Sequence, residues 1–252
     1  MSKRRELHVI PRVKASKILS ALYIEEPDEI DISKISRYCR CDIRDGGLDG
    51  ADGRSIVRHG RAIIRVRADI TEEGRRRYTI AHEIGHVRLE HPGASCSKLD
   101  MRRHDGTDAE PEANAFAAEL LMPRRMFAKC VRGRAPSLAL AEDLAPIFRT
   151  TFTATAVRMV DLSDEPCAVV WSHNGSIKWV IATPDFPGFV QQGRLSSYTF
   201  ASNPFRGLPL PTEPQRVPSD SWLTGGHGTE ELLEETRWFR RFGATFTLLR
   251  EV

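Results

Sequence analysis

The segment Tyr78-Thr79-Ile80-Ala81-His82-Glu83-Ile84-Gly85-His86 puts two imidazoles four residues apart, with a carboxylate beside the first. On an α-helix the side chains at i and i+4 lie on one face, so both rings can reach one metal ion. H-E-x-x-H on a helix is the pattern of a zinc peptidase, with histidines as ligands and glutamate as general base. The flanks predict that helix. Thr71-Glu72-Glu73 supplies a capping hydroxyl and first-turn acids, and Ile80, Ile84 and Val87 form an apolar stripe. The helix is expected from about Glu72 to Glu90, stopping before Pro92.

A catalytic zinc takes three protein ligands and keeps one position open. His82 and His86 are two. The extended motif with a third histidine would need glycine at position 89 and histidine at position 92, where this chain has Leu89 and Pro92. His91 follows His86 by five residues, about 140° around a continuing helix, and so points elsewhere. Glu90 lies about 12 Å along the axis from His82. A glutamate from a following helix, expected at Pro111 to Met122, is the remaining common arrangement, with Glu110, Glu112 and Glu119 as candidates.

Glu112 is favoured because Ala113, Ala115, Ala117 and Ala118 let its helix come close; Glu110 precedes a proline and reads as loop. Glu119 is a candidate for orienting a ligand histidine. Glu83, about 100° around the helix from His82, is placed to accept a proton from water rather than to bind the ion. Tyr78 is a candidate to approach a substrate carbonyl, against the plainer reading of a packed tyrosine. His104 is a candidate oxyanion donor, against a surface histidine. Cys96 is a weaker candidate, for a thiolate that reaches the metal and inhibits it.

Around this motif the chain reads as mixed α and β. Two short helices are expected at 12–24 and 30–39, then a glycine-marked loop through Gly46, Gly47, Gly50 and Gly53. Ser55–Val57 and Arg61–Val66 flank His59-Gly60 as a hairpin, and the second run is the strand expected to border the cleft and pair with an extended substrate. Residues 124–162 look helical. Cys167–Trp171 and Ile177–Ala182 flank Asn174-Gly175, a strong hairpin signal. Thr229 to Phe239 reads as a helix, and Ala244 to Leu249 as a last strand.

The chain has 252 residues, 40% hydrophobic and 28% charged, enough for a sizeable core and more than one unit. A net charge of +3 is too mild to argue for nucleic acid. Five cysteines are too few, and odd, for a disulfide scaffold, so reduced thiols in a cytoplasm are expected. The N-terminus reaches Pro11 with no apolar h-region, and no run approaches the roughly 20 apolar residues of a membrane span.

The first segment, together with Glu112-Ala113-Asn114-Ala115-Phe116-Ala117-Ala118-Glu119-Leu120-Leu121-Met122-Pro123, resembles the ImmA/IrrE metallopeptidase family. Tyr78 stands where phenylalanine is common. The resemblance implies a minimal zincin-like α+β fold, with Zn2+ on His82, His86 and Glu112 and with Glu83 as base. It also implies an endopeptidase whose protein substrate is a helix-turn-helix repressor or antitoxin, in stress response or mobile-element regulation. The expected division is a peptidase domain at 1–123, a helix-turn-helix-like unit at 124–163 and an α+β, GAF-like, sensory domain at 164–252. The competing reading is a non-catalytic regulator that contacts DNA or a partner and keeps only a structural metal site.

Overall fold

The computed structural model describes residues 9–91, 109–225 and 228–252. The chain is α+β and divides into two compact units. The first is Met1–Cys130 with Ala145–Thr151; the second is Val131–Leu144 with Phe152–Val252. The helical stretch after position 123 is therefore shared between the two units.

In the first unit, helices α1 (Val9–Ala21) and α2 (Ile32–Tyr38) precede strands β1 (Cys41–Gly46), β2 (Gly53–Arg58) and β3 (Arg61–Arg67). Asp31 starts α2 by accepting the backbone N–H groups of Ser33 and Lys34. His59 and Gly60 both take positive φ, 50° and 74°, as a tight two-residue hairpin requires. Helix α3 (Glu73–Leu89) carries the H-E-x-x-H segment, and α4 (Ala109–Leu121) and α5 (Arg124–Val131) follow. Ala62, Ile64 and Val66 of β3 bury one sheet face, while Arg61 and Arg65 leave the other in solvent.

The sheet order is β1-β3-β2. This corrects the expectation for the second hairpin strand. β3 is central, pairing in parallel with β1 (Ile43 opposite Ile64) and antiparallel with β2 (Ser55 opposite Ile64), so it has no edge to offer a substrate. β1 gives little local signal because Asp42, Arg44 and Asp45 are poor strand formers; its pairing with β3 overrides them. Among the described residues, the strand with one unpaired side next to α3 is β2.

Two more helices, α6 (Leu138–Phe148) and α7 (Phe152–Leu162), lead into the six strands of the second unit's larger sheet. These are β4 (Cys167–His173), β5 (Ser176–Ala182), β7 (Gly193–Arg194), β8 (Gln215–Pro218), β10 (Glu231–Phe239) and β11 (Ala244–Glu251), ordered β7-β5-β4-β11-β10-β8. The short strands β6 (Phe189–Val190) and β9 (Leu223–Thr224) pair separately. Asn174 and Gly175 make the expected tight turn, with φ of 50° and 71°.

The helix expected at 229–239 is instead β10. Leu-Leu-Glu-Glu favours a helix locally, but the segment lies between β11 and β8 and buries Leu232 and Glu234 on one face. Glu234 has a reason to be inside. It accepts hydrogen bonds from Trp222 Nε1 (2.8 Å), the Ala201 N–H (2.6 Å), the Phe200 N–H (3.2 Å) and Thr236 Oγ1 (3.0 Å). Burial pushes its carboxyl above the usual range, and these donors oppose that rise. Among the described residues no helix is long and apolar enough to cross a membrane.

Candidate metal centre

α3 is built to hold its side chains against α4. Gly85 faces Ala113 and Phe116 so closely that a Cβ on it would stand 3.2 Å from Ala113 Cα and 3.2 Å from the Phe116 ring. The alanines of α4 therefore do what small residues permit: two helix backbones meet with nothing between them. Gly53, at the start of β2, is placed the same way. A Cβ there would lie 2.6 Å from Thr79 Cγ2 and 3.0 Å from Glu83 Cγ. Strand β2 and helices α3 and α4 thus pack closely around the H-E-x-x-H segment.

There lie His82, His86 and Glu110. One ligand atom from each falls within 4.8 Å of the others. The two Nε2 atoms are 2.9 Å apart; Glu110 Oε2 is 3.2 Å from His82 Nε2, and Oε1 is 3.3 Å from His86 Nε2. Ligands of a tetrahedral zinc, about 2.0–2.1 Å from the ion, stand about 3.3 Å from one another. The donor set of two imidazoles and one carboxylate suits zinc. The residues present therefore fit the ion that the motif implies.

The acid that lies with the two histidines is Glu110, not the Glu112 favoured on sequence grounds. Glu110 is not in a loop: α4 already runs from Ala109, and Pro111 is tolerated because the first helical turn has no N–H to lose. Two residues on, about 200° around the helix, Glu112 points to another partner, with Oε2 2.9 Å from His91 Nε2. His91 in turn has Nδ1 3.0 Å from His86 Nδ1. The expectation that His91 points away assumed a helix continuing through it. Instead α3 stops at Leu89, Glu90 takes the left-handed conformation (φ 61°), and the His91 N–H bonds back to the His86 carbonyl at 3.1 Å. That turn swings the ring of His91 under His86.

His82 is held from its other side. Its Nδ1 is 3.0 Å from Asn114 Oδ1, and the same oxygen accepts the Tyr78 hydroxyl at 3.0 Å. An Nδ1–H donated to Asn114 leaves Nε2 of His82 bare for a cation. Asn114 follows Glu110 by four residues, so one face of α4 presents both. That i, i+4 pair was a legible signal and favours Glu110 over Glu112. Tyr78 uses its hydroxyl on Asn114. Burial, with a smaller push from the Glu110 charge, raises that phenol to about 12, so it is neutral at physiological pH.

Glu83 is buried on the sheet side of the centre, at 8% exposure. Burial pushes its carboxyl up, most strongly of all the influences on it. Hydrogen bonds from the Ser55 side chain and backbone and the nearby His82 pull it down, and Glu110 pushes it up again. The carboxylate is thus fixed by β2, at the edge strand, beside the three converging donors. Glu119 lies elsewhere on α4. It accepts Ser16 Oγ at 3.2 Å and caps the Arg124 N–H at 3.1 Å, tying α1 and the start of α5 to α4. His104 and Cys96 lie outside the described residues.

Residues 40–160 match the peptidase M78 family, described as an IrrE N-terminal-like domain. A Mycobacterium tuberculosis transcriptional regulator has a similar fold, with a TM-score of 0.60 at 15% identity, over 96% of this chain and 76% of that one. No curated protein matches.

Proposed function

Residues 40–160 are an IrrE N-terminal-like domain of the M78 peptidase family, and from that premise we propose that the chain is a zinc endopeptidase. His82, His86 and Glu110 are its metal ligands and Glu83 is its general base. The observation that carries this reading is the convergence of those three donors, with ligand atoms within 4.8 Å of one another, beside a buried carboxylate. A zinc ion held there supplies Lewis acidity toward the scissile carbonyl and the attacking water.

The protein's own groups do the rest. Glu83 takes a proton from the attacking water and delivers it to the departing amine nitrogen. Burial raises its affinity for a proton, the direction a general base requires, while Ser55 fixes its orientation. Asn114 keeps the His82 ring in one tautomer. Among the described residues one side of β2 is unpaired, and it offers backbone donors and acceptors to an extended peptide, as an added strand. The substrate we assign is an extended segment of a helix-turn-helix repressor. Its support is the family to which residues 40–160 belong.

Glu83→Gln tests the chemistry. It keeps the site's shape, so zinc binding measured by chelator competition stays within a few-fold of the parent. Cleavage of a repressor encoded beside this protein, followed by mass spectrometry, falls by about 10²–10⁴. Undiminished cleavage by the variant removes Glu83 from the mechanism.

A further inference from the structure

Glu112 and His91 stand outside the set of three ligands and yet are not idle. His91 bridges Glu112 and His86 by two contacts of 2.9 and 3.0 Å, and its side chain is only 9% exposed. With both rings in their neutral form, proton bookkeeping constrains this bridge. His91 Nε2 faces a carboxylate, which can only accept, so that nitrogen must carry the hydrogen. The neutral ring then has a bare Nδ1. A bare Nδ1 can only accept, so the hydrogen between His91 and His86 belongs to His86 Nδ1. With its hydrogen on Nδ1, His86 presents a lone pair at Nε2, toward Glu110 and His82.

We infer that Glu112 acts through His91 as a positioning pair, fixing the ring and tautomer of His86 so that its Nε2 is ready for the metal. Glu112 is then a positioning residue and Glu110 the ligand. The inference rests on the zinc-binding reading above. It deepens that reading by giving the two neighbouring glutamates of α4 different work. Two features of the chain make the relay possible. Glu90, in its left-handed conformation, turns the end of α3 so that His91 returns beneath His86. The two-residue step from Glu110 to Glu112 points one carboxylate at the Nε2 atoms and the other at His91.

The experiment is zinc affinity, by competition with a chromophoric chelator, in the full chain and its variants. A side chain acting by orienting a ligand changes affinity about 10–100-fold when removed. Glu112→Ala and His91→Phe are each expected to weaken binding within that range. The double variant is expected to be no weaker than either single one, because both break one chain of contacts. Glu112→Gln recovers most of the loss, since its amide oxygen still accepts the His91 Nε2–H. Glu110→Gln, which loses a charged ligand, is expected to fall as far as Glu110→Ala.

Two results overturn the inference: Glu112→Gln as damaging as Glu112→Ala, which would make Glu112 a ligand, or Glu112→Ala and His91→Phe with unchanged affinity. Ring ¹⁵N shifts of His86 in the zinc-free chain test the relay independently of the metal. The parent should show the Nδ1–H tautomer and His91→Phe a mixture; no change on substitution would sink the relay. Failure of the parent chain to bind zinc at all would count instead against the peptidase reading, and the tautomer measurement would still decide for or against the relay.

Discussion

The thiols of Cys39, Cys41 and Cys167 are buried, and burial pushes them up to about 11, about 12 and about 11. The unfolded chain ionises its thiols from about pH 8.5. Below that pH both states hold these protons and the three residues leave stability independent of pH. Above it the unfolded state gives them up first, so stability falls as pH rises, until the folded thiols ionise near pH 11–12. The urea midpoint at about pH 10.5 should therefore lie below that at about pH 8. Cys39→Ala with Cys41→Ala should flatten the slope; an unchanged slope would mean that these thiols are not shielded in the folded state. The same burial keeps them protonated and unreactive at neutral pH, in keeping with structural rather than catalytic cysteines.

Between elements, the approach of α3 to α4 decides whether the proposed metal site can assemble, because α3 brings His82 and His86 and α4 brings Glu110. Gly85 is where the two backbones meet. Gly85→Ala puts a methyl group 3.2 Å from Ala113 Cα, a backbone atom that can move only with its helix. Overpacking of this kind costs about 1–3 kcal/mol. Its signature is a joint loss: the melting midpoint of the zinc-free chain falls and zinc affinity weakens, because α4 carries Glu110 and Asn114 outward together. Full zinc affinity in a destabilised Gly85→Ala chain would show that Glu110 does not depend on this contact. The pairing of Gly85 with Ala113 could be anticipated from the small residues in both motifs. The pairing of β1 with β3 could not, because nothing local in Cys41-Asp42-Ile43-Arg44-Asp45-Gly46 makes a strand without its neighbour.

At the scale of the molecule, the first unit needs residues that lie well past the peptidase motifs. Phe148 is fully buried, with its ring centroid 5.1 Å from that of Phe127. The Thr150–Thr151 backbone lies against Gly74, close enough that a Cβ there would come within 2.6 Å, and Arg149 pairs with Glu73 at the start of α3. A fragment ending at residue 123 lacks all of these. Loss of a buried phenylalanine alone costs about 3–5 kcal/mol, a large part of the stability of a single domain. A fragment of residues 1–151 should give a cooperative melt and bind zinc, whereas 1–123 should do neither. Zinc binding by the shorter piece would show that the segment Ala145–Thr151 is dispensable to the first unit.

Much of the centre was legible without coordinates. The spacing of His82 and His86 and the acid at Glu83 are local facts, and helix geometry turns them directly into two rings on one face with a carboxylate beside them; the expected Thr71 cap did not form, since the helix starts after Glu72 with no side-chain cap. Both hairpin turns were legible too, because glycine at Gly60 and Gly175 takes positive φ at no cost and Asn174 and His59 tolerate it better than most residues. The grouping of Glu110 rather than Glu112 with the two histidines was only hinted at by the spacing of Glu110 and Asn114, and the return of His91 and the strand at 231–239 came from tertiary structure alone. Each depends on where a second element lies: α4 across Gly85, the chain turning at Glu90, and β11 and β8 flanking a segment whose own residues prefer a helix. Periodicity fixes which side chains share a face, and packing fixes what that face meets.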